Sequence, residues 1–349
     1  YDHPKPMVFQ KVQQLSAEEL RALFEPAMRR TEELRAQRLL KEAADRLGQG
    51  GGADQGKSLL LSGQDRVVQE AGGTFSQMFD AGSLANRVPV LAWWLVVELL
   101  GLVALPIVFG IFRDLDDRGY FFAKSVGILL LGYLVWLAAS LRFLPYTWTS
   151  IALMLGLLAA VSWRLFLLQR QAMLDFLRRQ RHLILLAEGL FLGGYLLFCF
   201  IRLQNPDLWQ PWLGGEKPME FAFLNAIIKS SYFPPYDPYF AGGTINYYYY
   251  GQYLVATLIK LTGILPSVAF NLAVPTLFAL TVLSVFGVAY NVMGGRPNDE
   301  AGAGPAITRN ARLGYSLVAG LFVAVVGNLN GMVQVVEGLS KNSPATFQS

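Results

Sequence analysis

One cysteine and two histidines among 349 residues leave little from which to build a metal or redox centre. Cys199 sits inside an apolar segment, which excludes a disulfide framework or a thiolate metal site within this chain. His3 and His182 stand far apart in sequence, against a histidine-rich metal site. Charge is scarce too, 15% of residues against about a quarter in soluble domains. With 53% hydrophobic residues, that scarcity excludes an ordinary soluble domain. The apolar residues fall in blocks long enough for a hydrocarbon core, which needs roughly 20 residues of helix. The fold class this implies is all-α, a polytopic transmembrane helical bundle.

The net charge of +4 does not point to nucleic acid. Much of the basic charge sits in an N-terminal helix and one short loop, where membrane topology accounts for it. The chain opens at Tyr1 without Met and closes at Ser349 in a polar stretch, as a piece of a longer protein would. No signal peptide is visible.

Residues 1–87 are polar and read as an extramembrane segment. Ser16 and Glu19 form a capping-box pattern before a helix over 17–47. Glycines at 48 and 50–52 make a linker, and a short helix is expected over 63–71. Seven spans follow, about 88–112, 121–141, 147–168, 183–201, 247–265, 267–292 and 313–336. The 169–182 connection holds Arg170, Arg178, Arg179 and Arg181, which marks it as cytoplasmic. Alternation then puts 1–87 and 202–246 outside. It also puts 293–312 outside despite Arg296, Arg309 and Arg312, a conflict with the positive-inside rule.

Segment 202–246, with the tyrosines that follow it, carries the residues able to do chemistry. Asn205-Pro206-Asp207 is a turn, and Trp209 and Trp212 suit the headgroup level. Apolar positions 221, 224, 227 and 228 recur at helical spacing, which predicts an interfacial amphipathic helix over 219–231. Pro234-Pro235 ends it. Tyr236-Asp237-Pro238-Tyr239 is a further turn, and Gly242-Gly243 leads to Asn246 and Tyr247 to Tyr250. Glu216 and Glu220 would share one helix face, and neighbouring carboxylates can leave one ionised as a general base. Asp237 is a third carboxylate. Lys217 or Lys229 could balance a phosphate. The plainer reading is that Glu216 and Lys217 are solvated loop charges. Four successive tyrosines are either interface anchors or a hydroxyl-rich pocket wall. Glu98 and Glu188 lie deep in spans, as a helix–helix hydrogen bond or a proton relay. Arg164 and Lys260 lie near span ends and could snorkel. Asn328 and Asn330 either bind or join helices.

The run GGEKPMEFAFLNAIIKSSYFPPYDPYFAGGTINYYYYG resembles the Chlor_Arch_YYY (DUF2298) family of uncharacterised membrane proteins, named for its Tyr-Tyr-Tyr motif. NPDLWQPW before it and LIKLTGILPSVAFNLAVPTLFAL after it share the resemblance, which extends over roughly 88–349. That family is in turn similar to GT-C glycosyltransferases, which take sugars from polyprenyl-phosphate donors. The resemblance implies a GT-C-like core over 183–349 with an added three-span module at 88–182. It implies an external acidic residue before an amphipathic helix as the catalytic base, here Glu216, Glu220 or Asp237. Lys217, Lys229, Asn246, Tyr247, Tyr248, Tyr249 and Tyr250 would hold the substrate. Membrane lipid and a polyprenyl-phosphate sugar are the implied partners. GT-C enzymes usually carry Asp followed by Glu at the acidic position, whereas Lys217 follows Glu216 here. A divalent metal suits carboxylates in general, but the spacing here is not diagnostic. A lipid or solute transporter and a non-catalytic assembly protein are the rival functions.

Overall fold

The computed structural model describes residues 78–208, 217–240, 243–294, 308–328 and 333. The expectations for helices 17–47 and 63–71, for Trp209, Trp212 and Glu216, and for Asn330 lie outside these residues. Among the described residues the elements are helical, and pairing between extended segments is limited to one bridge, Tyr236 to Thr244. After a single turn at Leu84–Arg87 come α1 (Pro89–Ile111), α2 (Ala123–Ser140), α3 (Trp148–Arg179) and α4 (Arg181–Gln204). Then follow α5 (Lys217–Lys229), α6 (Tyr250–Thr262), α7 (Pro266–Val292) and α8 (Arg309–Ala324). Among the described residues, five helices are long and apolar enough to cross a membrane: α1, α2 with its leading turn from Tyr120, α3, α4 and α7.

Each spanning helix has two apolar faces with different fates. On α1, Val97, Leu100, Ala104 and Val108 are fully buried, while Leu91, Leu95, Leu99 and Leu102 are exposed at helical spacing. An apolar stripe left open in this way faces lipid rather than water. Pro89 opens α1 at its first position, where the missing N–H costs nothing. Thr147 and Thr308 cap α3 and α8 by accepting from the backbone N–H of Ser150 and Ala311. At Gly127 the α1 and α2 backbones touch, since an added Cβ would stand 2.2 Å from the Leu100 carbonyl oxygen.

The two ends of the bundle can be told apart by their contacts. At the upper end the 141–147 connection meets α5 and α6, with the Tyr146 N–H donating to the Ser231 carbonyl at 2.7 Å. At the lower end Asn291 of α7 donates to Asp117 in the α1–α2 connection at 2.8 Å. Arg312 of α8 pairs there with Asp116 at 2.6 Å. Burial pushes the Asp117 carboxyl above the usual carboxylate range, opposed by hydrogen bonds from Phe121 N–H, Asn291 and Gly119 N–H.

These contacts correct the expected fifth span over 247–265. α6 has only 13 residues, about 20 Å at 1.5 Å per residue, against a core of roughly 30 Å. More telling, both its ends lie at the upper end. Tyr249, just before it, accepts from Trp136 Nε1 at 3.0 Å, near the upper end of α2. At the other end Gly263 takes a left-handed conformation and caps the helix. Its carbonyl accepts from the Asn86 side chain at 2.9 Å, and Asn86 Oδ1 accepts from Leu265 N–H. Asn86 precedes α1 at the upper end. α6 therefore enters and leaves on one side, dipping to Gly132 of α2, whose carbonyl accepts from the Tyr253 hydroxyl at 2.7 Å.

The consequence runs through the rest of the chain. α7 starts at the upper end, where Arg202 of α4 donates to Asn271, and finishes at the lower end. α8 starts at the lower end with Arg312. The flanks of the 293–312 connection thus stand beside Asp116 and Asp117 of the α1–α2 connection, which also holds Arg113 and Arg118, not beside the 202–246 segment. For Arg309 and Arg312 the conflict with the positive-inside rule disappears, and Arg296 lies outside the described residues. α8 covers 16 residues, so the last expected span is seen here as Arg309–Ala324 with a turn at Val326–Asn328.

Candidate functional site

The upper end carries a shelf formed by α5, the 230–249 turn and α6. α5 lays Phe223, Leu224, Ala226, Ile227 and Ile228 against its neighbours, all buried. The periodicity thus reads correctly, and the helix covers Lys217–Lys229 rather than 219–231. Lys217 and Glu220 stand half-buried in its first turn, where a carboxylate also suits the helix dipole. Glu220 is one turn before Phe223. Against the Phe223 ring lean Tyr239 at 5.7 Å, edge-on, and Tyr247 at 6.1 Å, tilted. Tyr247 and Tyr248 stack at 3.9 Å and share a hydroxyl hydrogen bond of 2.6 Å. Tyr239 is 63% and Tyr248 71% exposed, so both rings offer surface to a ligand. Asn246 and Lys229 are exposed nearby in sequence.

The expected start of a span at Tyr247 is corrected. The helix begins only at Tyr250, so Tyr247, Tyr248 and Tyr249 belong to the turn before it. Tyr249 and Tyr250 serve packing, the first bonded to Trp136 and the second edge-on to the same indole at 6.1 Å. Asp237 also has a local task. Its Oδ1 accepts from Tyr239 N–H at 2.8 Å, and its own N–H donates to the Gly243 carbonyl. Lys260 does not snorkel outward. It donates to the Tyr146 carbonyl, with its ammonium 3.9 Å over the Tyr146 ring.

A second polar centre lies within the bundle. Lys124 Nζ bonds Glu98 Oε2 at 2.7 Å and both oxygens of Glu188, at 2.8 and 2.7 Å. The Tyr120 hydroxyl donates to Glu188 Oε1 at 2.8 Å, and Phe191 stacks under the ammonium at 5.1 Å. Glu98 Oε1 is buried with no hydrogen-bond partner. Glu98 and Glu188 were legible as deep carboxylates, but Lys124 is absent from the sequence expectations. Its signal is a lysine four residues into the apolar run after Tyr120. Among the described residues no three His, Cys, Asp or Glu side chains converge as a metal site.

Lipid-facing stripes, five apolar spanning helices and an ionic centre between them define a polytopic α-helical membrane protein. The family model of the uncharacterized membrane proteins DUF2298 matches residues 130–348. The chain belongs to that family, and the matched region runs from within α2 through the shelf and beyond α8. No curated protein and no solved structure matches the chain.

Proposed function

We propose that the protein transfers a sugar from a polyprenyl-phosphate donor to a hydroxyl acceptor at the upper face of the membrane. The carrying observation is that Lys217 and Glu220 open α5, with Glu220 one turn before Phe223, the ring against which Tyr239 and Tyr247 lean. Glu220, with Glu216 four residues before it, would take the acceptor's proton. The acceptor oxygen would attack the anomeric carbon as the bond to the phosphate oxygen breaks. The polyprenyl phosphate would leave with the bonding pair, its charge met by Lys217, which shares the first turn of α5 with Glu220. Aromatic faces suit the apolar side of a sugar ring, and the tyrosine hydroxyls and Asn246 suit its hydroxyls. Asp237, already tied into its turn, is the weaker base. Arginines collect at the lower end, which supports a cytoplasmic lower face and an extracytoplasmic shelf in the plasma membrane.

The test replaces Glu216, Glu220 and Asp237 singly by Gln or Asn in the full-length protein and measures transfer from lipid-linked sugars. Loss of the general base should lower turnover by about 10²–10⁴-fold. Wild-type transfer in all three variants would sink the reading. Flux of lipid or solute across vesicles with no covalent product would favour a transporter. An assembly protein would tolerate all three substitutions and fail instead on apolar changes in α5.

A further inference from the structure

We propose that Glu98, Lys124 and Glu188 form a proton-binding site inside the bundle, holding one exchangeable proton on Glu98. The inference is independent of the sugar-transfer reading and rests on charge count and geometry. Two carboxylates and one ammonium, all ionised, leave a net charge of −1 among apolar helices. A structural ion pair needs one carboxylate, so the second is surplus. An uncompensated charge in this setting is costly, and binding one proton removes it.

The contacts choose where the proton sits. Glu188 receives three hydrogen bonds, two from Lys124 and one from Tyr120, all of which favour its ionised form. Glu98 receives Lys124 through Oε2 alone, and its Oε1 is buried with no donor to it while the Glu188 carboxylate stands against the same side chain. A bare anionic oxygen in that place is the least favourable atom in the cluster, and protonating it neutralises the site. Lys124 is the most enclosed of the three. The side chains of Glu98 and Glu188 are 17% and 33% exposed, against 6% for Lys124. The groups that face the centre come from α1 (Glu98), α2 (Lys124), α4 (Glu188) and the turn before α2 (Tyr120). α7, which packs on α4, carries no charged residue between Pro266 and Val292.

Infrared spectroscopy of the detergent-solubilised full chain reads this directly, through the carbonyl stretch of a protonated carboxyl. The band should be present at neutral pH, shift in D₂O and decline as pH rises. Glu98→Gln should abolish its cluster component, and so should Glu188→Gln, because either leaves a neutral pair with Lys124. Lys124→Gln should instead increase it, since two unbalanced carboxylates both protonate. Asp117→Asn identifies any share from that buried carboxyl and should leave the cluster component unchanged. Tyr120→Phe keeps every charge and should move the band's midpoint to higher pH, which serves if a Glu variant fails to fold. The proposal is overturned if wild type and both Glu variants give the same spectrum. It is equally overturned if the band is absent at neutral pH, or appears only when sodium or potassium is withdrawn.

Discussion

The sidedness of the 293–312 connection is the sharpest prediction. If α6 enters and leaves at the upper end, this connection lies on the face opposite the tyrosine shelf. If α6 crossed the membrane, the two would share a face. The geometry separates these cases widely. Thirteen helical residues reach about 20 Å, some 10 Å short of the hydrocarbon core. An upright α6 would also have to release Gly263 and Leu265 from Asn86, and Lys260 from Tyr146. In a Cys199→Ser background, single replacements Asn246→Cys, Asp114→Cys and Asn310→Cys place thiols at exposed positions of the two ends. A membrane-impermeant maleimide should label Asp114→Cys and Asn310→Cys from one side and Asn246→Cys from the other. Inverted vesicles should reverse the pattern. Labelling of Asn310→Cys together with Asn246→Cys would refute the fold of α6 and restore a seven-span topology.

Two further predictions concern packing. Gly127→Ala puts a methyl 2.2 Å from the Leu100 carbonyl, and backbone cannot yield as a flexible side chain does. A loss of about 1–3 kcal/mol is expected, seen as a lower melting temperature in detergent, and an unchanged melt would refute the close approach. Tyr253→Phe removes the hydroxyl that donates to Gly132 and leaves that carbonyl without it. It should cost about 1 kcal/mol by the same assay, and no loss would mean that α6 does not dip against α2.

Much of this architecture is legible in the sequence because apolar length and periodicity are local properties. Spans expected at 88–112, 121–141 and 267–292 appear as Pro89–Ile111, Tyr120–Ser140 and Pro266–Val292. The third span ends where expected, at 168, since the α3 backbone leaves helical geometry at Gln169 and a second helical piece then runs on to Arg179, while α4 continues past the expected 201 to Gln204 because polar residues can extend a helix beyond the apolar core. The amphipathic α5 is legible from 221, 224, 227 and 228, and its buried face holds three of them, Leu224, Ile227 and Ile228. The tyrosine run was readable as a family mark. Its division into an exposed pair, Tyr247 and Tyr248, and a packed pair, Tyr249 and Tyr250, depends on where α6 begins.

By itself the sequence determined a helical membrane protein of this family, with a turn- and tyrosine-rich segment between α4 and α6. Tertiary structure alone decided the direction of α6 and the meeting of Glu98, Lys124 and Glu188. The reason is the same in both cases. Hydropathy is a sum without direction, so an apolar run reads alike whether it stands across the membrane or folds back. Only the distant partners Asn86, Tyr146 and Trp136 settle its course. Likewise, a lone charge in an apolar run does not reveal its counter-ion, and Lys124 finds Glu188 across 64 residues of chain only when α2 and α4 are side by side.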